Sequence, residues 1–288
     1  MKLFLYNNGG LADLLLSRIL YRKLLEAGSF QLQIGVCRNR ADLYADLRDL
    51  GAELWISDYH CLADGAPIDL AYLCPPDSLP LSMNLGDYED THFFSYEFVL
   101  EVCRRRMEEH GIALDLPFDE EDIPLLDLRR LSPSARVQAL LAPSAGEGPK
   151  PGVYIELRRT RDGRCRFFFD LPRLARLFPD LRFFCTQAPP QEWSNLIDVS
   201  DLSPLECSLL SEGCDFLLGR TFDPFALTLT EANRFKPKAL CGYDARKIAR
   251  FYPYPGDPTE YVRDMDELVD LLQSVFPACP GEGEVALR

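Results

Sequence analysis

Short apolar runs with strand character alternate with amphipathic helical segments through most of the chain, joined by connections of only a few residues, and the rhythm occurs twice. In the first half KLFLYN reads as a strand. LADLLLSRILYRKLLEAG follows as a helix, with apolar residues at Leu14, Leu15, Ile19, Leu20 and Leu24 and a stop at Gly28. FQLQIGVCR is a second strand, RADLYADLRDLG a helix closed by Gly51, and AELWIS a third strand. IDLAYLC is followed by a Pro-rich, acidic stretch to about Thr91, then the helix SYEFVLEVCRRRMEEHG. A helix running into a linker is expected at SPSARVQALLAPSAGEGPKPG, because Pro, Gly and Ser crowd residues 143–152. The second half reads GVYIELR, LRFFCT, LIDVS, CDFLLG and PKALCG as strands, with LPRLARLF, SPLECSLLSEG, FALTLTEANRF and finally PTEYVRDMDELVDLLQSVF as helices.

Strands joined through helices by tight connections pair in parallel and give a doubly wound sheet. The expected fold class is therefore α/β, with two Rossmann-like doubly wound domains facing a cleft. The first spans residues 1–148, the second 149–277, and 278–288 form a Gly- and Glu-rich tail expected to be disordered. Ligands of such folds bind outside the carboxyl ends of the strands.

Charge divides the two halves. The chain of 288 residues carries a net charge of −14, with −11 in residues 1–149 and only −3 in the remainder. Within the second half, eight arginines between Arg158 and Arg182 face Asp162, Asp170 and Asp180. Seven basic residues between Arg220 and Arg250 face Asp223, Glu231 and Asp244. An acidic protein with two basic islands argues against nucleic acid and for a small anionic ligand held by the second half. The apolar runs fall short of the roughly 20 residues that span a bilayer, and Met1 leads straight into a strand with no signal-peptide pattern, so a cytoplasmic protein without a transmembrane segment is expected. Ten scattered cysteines, none in a C-x-x-C pair, read as thiols buried in apolar runs. His60, His92 and His110 have no ligand spacing, so no metal site is expected.

Several segments carry a family resemblance. NNGGLADLLLSRILYRKLL resembles the strand, glycine loop, Asp and apolar helix that open the heptosyltransferase-like glycosyltransferases. VLEVCRRRMEEHGI with IPLLDL, RTRDGRCRF, LSPLECSLLSEGCDFLLG and KPKALCGYD are similar to later family segments, in the family's order. The resemblance implies the GT-B arrangement and transfer of a sugar from a nucleotide-diphospho-sugar, which is a substrate; no cofactor is implied. Asp13 would be the base that takes the acceptor's proton, with Gly9 and Gly10 leaving room for the acceptor. A plain interaction with a helix N-terminus is the alternative for Asp13. Thr160 and Arg164 fall on the family's Thr and phosphate-contacting Lys. Arg161 and Arg164 suit a diphosphate through bidentate contacts, or else form a solvated hairpin tip. Glu206 would accept from ribose hydroxyls, or cap its own helix after Ser203–Pro204.

The loop GRTFDPFAL departs from the family pattern of Asp, Ser or Thr, Gly, two residues and His. Thr221, Phe222, Asp223 and Ala226 take those places, so the His is missing and an acid is added. Arg220 either restores the positive charge or lies on the surface. FFF at 167–169 and FYPYP at 251–255 read as core and turn packing, and Arg104, Arg105 and Arg106 as a solvated helix face. The expected activity is inverting, metal-independent glycosyl transfer to a glycan, lipid or protein acceptor. The altered loop motivates the alternative of a catalytically inactive GT-B-like binding or partner protein.

Overall fold

The computed structural model of the chain describes residues 1–60, 68–84, 96–113, 116, 125–143, 148–158, 167–220, 222–242, 254 and 256–277, with 96–100, 103, 222 and 223 described by backbone alone. Two all-parallel sheets form. The first contains β1 (Lys2–Tyr6), β2 (Gln31–Cys37), β3 (Glu53–Ser57) and β4 (Leu79–Ser82) in the order β3-β2-β1-β4. The second contains β5 (Gly152–Glu156), β6 (Arg182–Cys185), β7 (Leu196–Asp198), β8 (Phe216–Gly219), β9 (Lys238–Cys241) and β10 (Thr259–Val262) in the order β10-β9-β8-β5-β6-β7. Strand order reverses between β1 and β4 in one sheet and between β5 and β8 in the other. These are the switch points at which doubly wound sheets open a crevice. Every residue of β5, β8 and β9 is buried, as strands covered on both faces must be.

The helices are α1 (Leu11–Ala27), α2 (Ala45–Asp49), α3 (Tyr96–Glu109), α4 (Ala135–Leu141), α5 (Leu171–Leu177), α6 (Pro204–Glu212), α7 (Phe222–Phe225) and α8 (Met265–Val275). Four elements differ from the sequence reading. RADLYADLRD is a 3-10 turn over Arg38–Tyr44 with only a short α2 after it. β4 lies inside the Pro-rich stretch, where Pro80 is tolerated because the strand is at an edge. FALTLTEANRF forms 3-10 turns after α7 rather than a helix. The segment TEYV is strand β10, since α8 begins only after Asp264, whose carboxylate accepts from the backbone N–H of Asp266 and Glu267.

α1 is buried over most of its circumference, from Leu11 and Ala12 through Leu14–Tyr21 to Leu24. A helix apolar all round needs cover on both sides. One side belongs to the first sheet, whereas the other packs on α7 and on the turn Ala226–Thr228 of the second half. A single hydrophobic cluster accordingly joins Leu11, Leu14 and Leu15 to Leu210, Phe225, Ala226 and Leu227. α1 begins just beyond β1 and α7 just beyond β8, so this packing brings the carboxyl edges of the two sheets together. The segment 125–141 also holds to the second half: Leu126 N donates to Leu229 O (2.8 Å), Glu231 N to Leu126 O (3.0 Å), and Arg182 binds the carbonyl of Leu140 (2.5 Å) at the end of α4.

A second cluster lies between the six-stranded sheet and α5 and α8. Phe167 and Phe169 enter it edge to face, 4.9 Å apart, while Phe168 is 71% exposed. Of FYPYP, Tyr254 is described and is buried. Cys185, Cys207, Cys214 and Cys241 are buried free thiols and Cys74 is half-buried. Cys37 departs from the expected thiol state, being disulfide-bonded. Among the described residues no helix is long and apolar enough to cross a membrane. The tail 278–288 and residues 144–147 of the linker lie outside the described residues.

Candidate active site

At the switch point of the first sheet, the buried Asn7 side chain donates to Met83 O (2.9 Å), while its Oδ1 accepts from Gly9 N (2.8 Å). This fixes the loop leading into α1. Asp13 lies in the first turn of α1, and its carboxylate folds back over Gly9. A Cβ on Gly9 would overlap Asp13 Oδ2 and lie 2.9 Å from Asn7 Oδ1. The glycine is therefore required by Asp13 itself. Gly10 occupies the N-cap position of α1 in an extended conformation. Arg40, buried in the 3-10 turn after β2, donates to Gly9 O at 3.2 Å. Arg106 donates to Ser82 O (2.6 Å) and Asn84 O (3.0 Å) beyond β4. It thus leaves the solvated face that Arg104 and Arg105 share with Glu101 and Glu108.

Across α1, the switch point of the second sheet is built around Glu156, which is fully buried at the end of β5. Arg158, two residues on and so on the same face of the strand, donates Nε to Oε1 (2.8 Å) and Nη2 to Oε2 (2.6 Å). Thr186 Oγ1 donates to Oε1 (2.8 Å) and Tyr154 OH to Oε2 (3.0 Å). Burial alone would raise the pKa of Glu156, but Arg158 and the hydrogen bonds outweigh it and hold the carboxyl below its ordinary 4.5. Burial likewise works against the charge of Arg158, and Glu156 overrides it, so the guanidinium is more firmly protonated than usual. Cys207 of α6 touches Arg158 at 3.8 Å, and burial pushes its thiol up to about 11.

Arg220, at the end of β8, is buried rather than on the surface. It reaches across the switch point to donate to Leu157 O and, at 3.3 Å, to Gln187 Oε1. Behind it, a Cβ on Gly219 would lie 2.5 Å from the Phe225 ring, so that ring can fold onto β8 only over a glycine. Ala226, at the position where the resemblance expects a His, is buried in the cluster shared with α1. Glu206 completes a capping box with Ser203: Ser203 N donates to its Oε2 (3.0 Å), and Ser134 Oγ donates to its Oε1 (2.7 Å). Backbone and hydroxyl donors, Ser203 N first, hold its pKa low. Thr160, Arg161, Arg164 and Thr221 lie outside the described residues, and Asp223 is described by backbone alone within α7.

The sequence reading singled out Asp13 and Arg220 but passed over Asn7, Arg40, Glu156, Arg158 and Thr186. One signal for the second group was present. An acid inside the apolar run GVYIELR, with Arg at the next position of the same face, is the pattern of a buried charge that brings its own partner.

Two parallel doubly wound sheets, meeting at their carboxyl edges through α1 and α7, define a GT-B type fold. No protein-family model matches the chain, and no curated protein does so by sequence. Solved structures do. The chain is similar to a glycosyl transferase family 9 protein from Veillonella parvula DSM 2008, at 9% identity over 97% of this chain and 90% of that one, with a TM-score of 0.56. It is similar to the iron-containing dodecameric glycosyltransferase TibC from enterotoxigenic E. coli H10407 at 15% identity, 90% and 61% coverage and a TM-score of 0.51. It is also similar to E. coli heptosyltransferase WaaC with ADP at 11% identity, 96% and 99% coverage and a TM-score of 0.50. The shared property is the fold of the heptosyltransferase-like glycosyltransferases.

Proposed function

We propose that the protein is a glycosyltransferase that moves a sugar from a nucleotide-diphospho-sugar to an acceptor hydroxyl with inversion and without a metal ion. The observation that carries this reading is the meeting of the two carboxyl edges, with Asp13 on the first turn of α1 and Arg220 beside α7. Asp13 accepts the acceptor's proton as its oxygen attacks the anomeric carbon, and the bond to the diphosphate breaks on the opposite face. The leaving group's added negative charge is met by Arg161 and Arg164, with Thr160, Thr221 and the helix turn after β8 as further donors. Arg220 and Arg158 keep the edge in shape. Asp223 answers sugar hydroxyls rather than phosphate, and Glu206 reaches a ribose only by releasing Ser134.

A specific observation favours a second reading, a binding protein without transfer: Ala226 is buried in the cluster with α1, and Phe225 covers Gly219. Thermal shift with ADP, GDP, UDP and CDP separates both readings from a protein that takes no nucleotide. A nucleotide at 100 times its dissociation constant stabilises the fold by about 2.7 kcal/mol. A shift with one nucleotide is expected under either reading. Its absence with all four removes both.

A further inference from the structure

Resting on the transferase reading, we infer that the acceptor is a neutral carbohydrate, stacked on a tyrosine platform at the carboxyl edge of the first sheet. Three tyrosines gather there. Tyr6 ends β1 and packs, as Leu73 does, against the small cluster of Cys37 and Leu70, the latter opening the 3-10 turn Leu70–Leu73. Tyr72 of the same turn and Tyr59 beyond β3 are 56% and 66% exposed. Both are tied to Ser57: its Oγ lies 2.5 Å from Tyr72 OH and accepts from Tyr59 N at 3.1 Å. The turn is fastened to the loop that leads to Asp13, because Asn8 Oδ1 accepts from Leu70 N (2.9 Å) and Asn8 Nδ2 donates to Asp69 Oδ1 (3.3 Å). The Tyr72 ring, held at its hydroxyl, and the exposed Tyr59 ring anchored at its backbone lie beside amide and carboxylate groups; this suits a sugar, whose C–H faces stack on aromatic rings and whose hydroxyls pair with polar groups at their rim.

Charge selects the class. Among the described residues, the cations at this edge are each engaged by the protein: Arg38 by Asp58 (2.7 Å), Arg40 by Gly9 O, and Arg106 by Ser82 O and Asn84 O. With Arg38 and Asp58 cancelling, Asp69 adds negative charge beside the turn, and residues 1–149 carry a net −11. A phosphorylated or carboxylated acceptor would meet repulsion here, whereas an uncharged glycan would not.

The test is saturation-transfer NMR and titration of the full chain with the neutral trisaccharides maltotriose, cellotriose and chitotriose and the anionic trigalacturonate, on wild type, Tyr72→Ala, Tyr59→Ala and Tyr72→Phe. At least one neutral trisaccharide is expected to bind in preference to trigalacturonate. Its affinity should fall about tenfold in each alanine variant and survive in Tyr72→Phe, with thermal midpoints unchanged. Preference for trigalacturonate, binding of no neutral trisaccharide, or equal affinity in all four proteins overturns the inference. Nucleotide binding is recorded on the same samples. Glycan binding without any nucleotide binding would sink the transferase reading and leave the platform standing, and the reverse result would sink the platform alone.

Discussion

Glu156 is a carboxylate with no exposure, held by a bidentate guanidinium, a threonine and a tyrosine. Glu156→Gln leaves Arg158 without its counter-charge and should cost about 3–5 kcal/mol in urea unfolding. The pairing also sets a pH dependence. A native pKa below 4.5 means that Glu156 stabilises the fold above that value, and the contribution drains away as pH falls through the native pKa. The unfolding midpoint should drop on acidification below pH 4.5 in the wild type and do so less in Glu156→Gln. At Gly9 the constraint is steric. Gly9→Ala should displace the Asp13 carboxylate and cost about 1–3 kcal/mol, measured by thermal denaturation. The two residues differ in legibility. Gly9 stood out in the sequence because glycines between a strand and a helix have local meaning, although its partner is Asp13 and not an open space. Glu156 had a local signal only in Arg158 two residues on; its third partner, Thr186 just beyond β6, is linked to it by no local pattern.

At the level of elements, α6 and β10 mark the two extremes of what local signals reveal. S-P-L-E announces a helix start by capping chemistry alone, and the capping box, one of the two roles open to Glu206 in the sequence, forms. Ser203→Ala should therefore cost about 1 kcal/mol by loss of the cap. Ser134→Ala tests whether the Glu206 carboxylate is committed to α4: if it is, stability falls while nucleotide affinity does not. The segment TEYV joined the following helix in the sequence reading because the acids around Asp264 continue an amphipathic pattern. Pairing with β9 wins, since a strand of Thr, Tyr and Val completes the sheet edge and Asp264 caps the helix five residues after Thr259. β4 was masked by Pro80, which only an edge strand accommodates. The turns after α7 were masked by a different cause. Phe225, Ala226 and Leu227 are buried by packing on α1 from the other half, and a helical apolar period cannot be told from apolar residues recruited by a distant partner.

For the whole molecule, the apolar cluster shared by both halves should make unfolding cooperative. The chain has two tryptophans, Trp55 in β3 and Trp193 before β7, one on each sheet's side. Single-tryptophan variants Trp55→Phe and Trp193→Phe should report the same urea midpoint, and two separate midpoints would show that the α1 contact is too weak to couple the halves. Leu227→Ala, inside that contact, should cost about 2–5 kcal/mol and lower both reporters together. Charge asymmetry and the strand–helix rhythm made the two-sheet architecture legible, because each sheet is assembled from neighbours in sequence. That the two sheets face each other was expected too; that α1 and α7 carry the contact was not, since it depends on which side of α1 the second half covers. That meeting matters because it packs α1, whose first turn carries Asp13, against α7, and the proposal rests on Asp13 working there as a base. The direct measurement is release of nucleoside diphosphate from ADP-, GDP-, UDP- and CDP-linked sugars by wild type and Asp13→Asn, with neutral oligosaccharides as acceptors. Turnover of at least one donor by the wild type is expected, with a rate about 10²–10⁴-fold lower in Asp13→Asn at unchanged nucleotide affinity. Equal rates in the two proteins, or nucleotide binding with no turnover by the wild type, would contradict it.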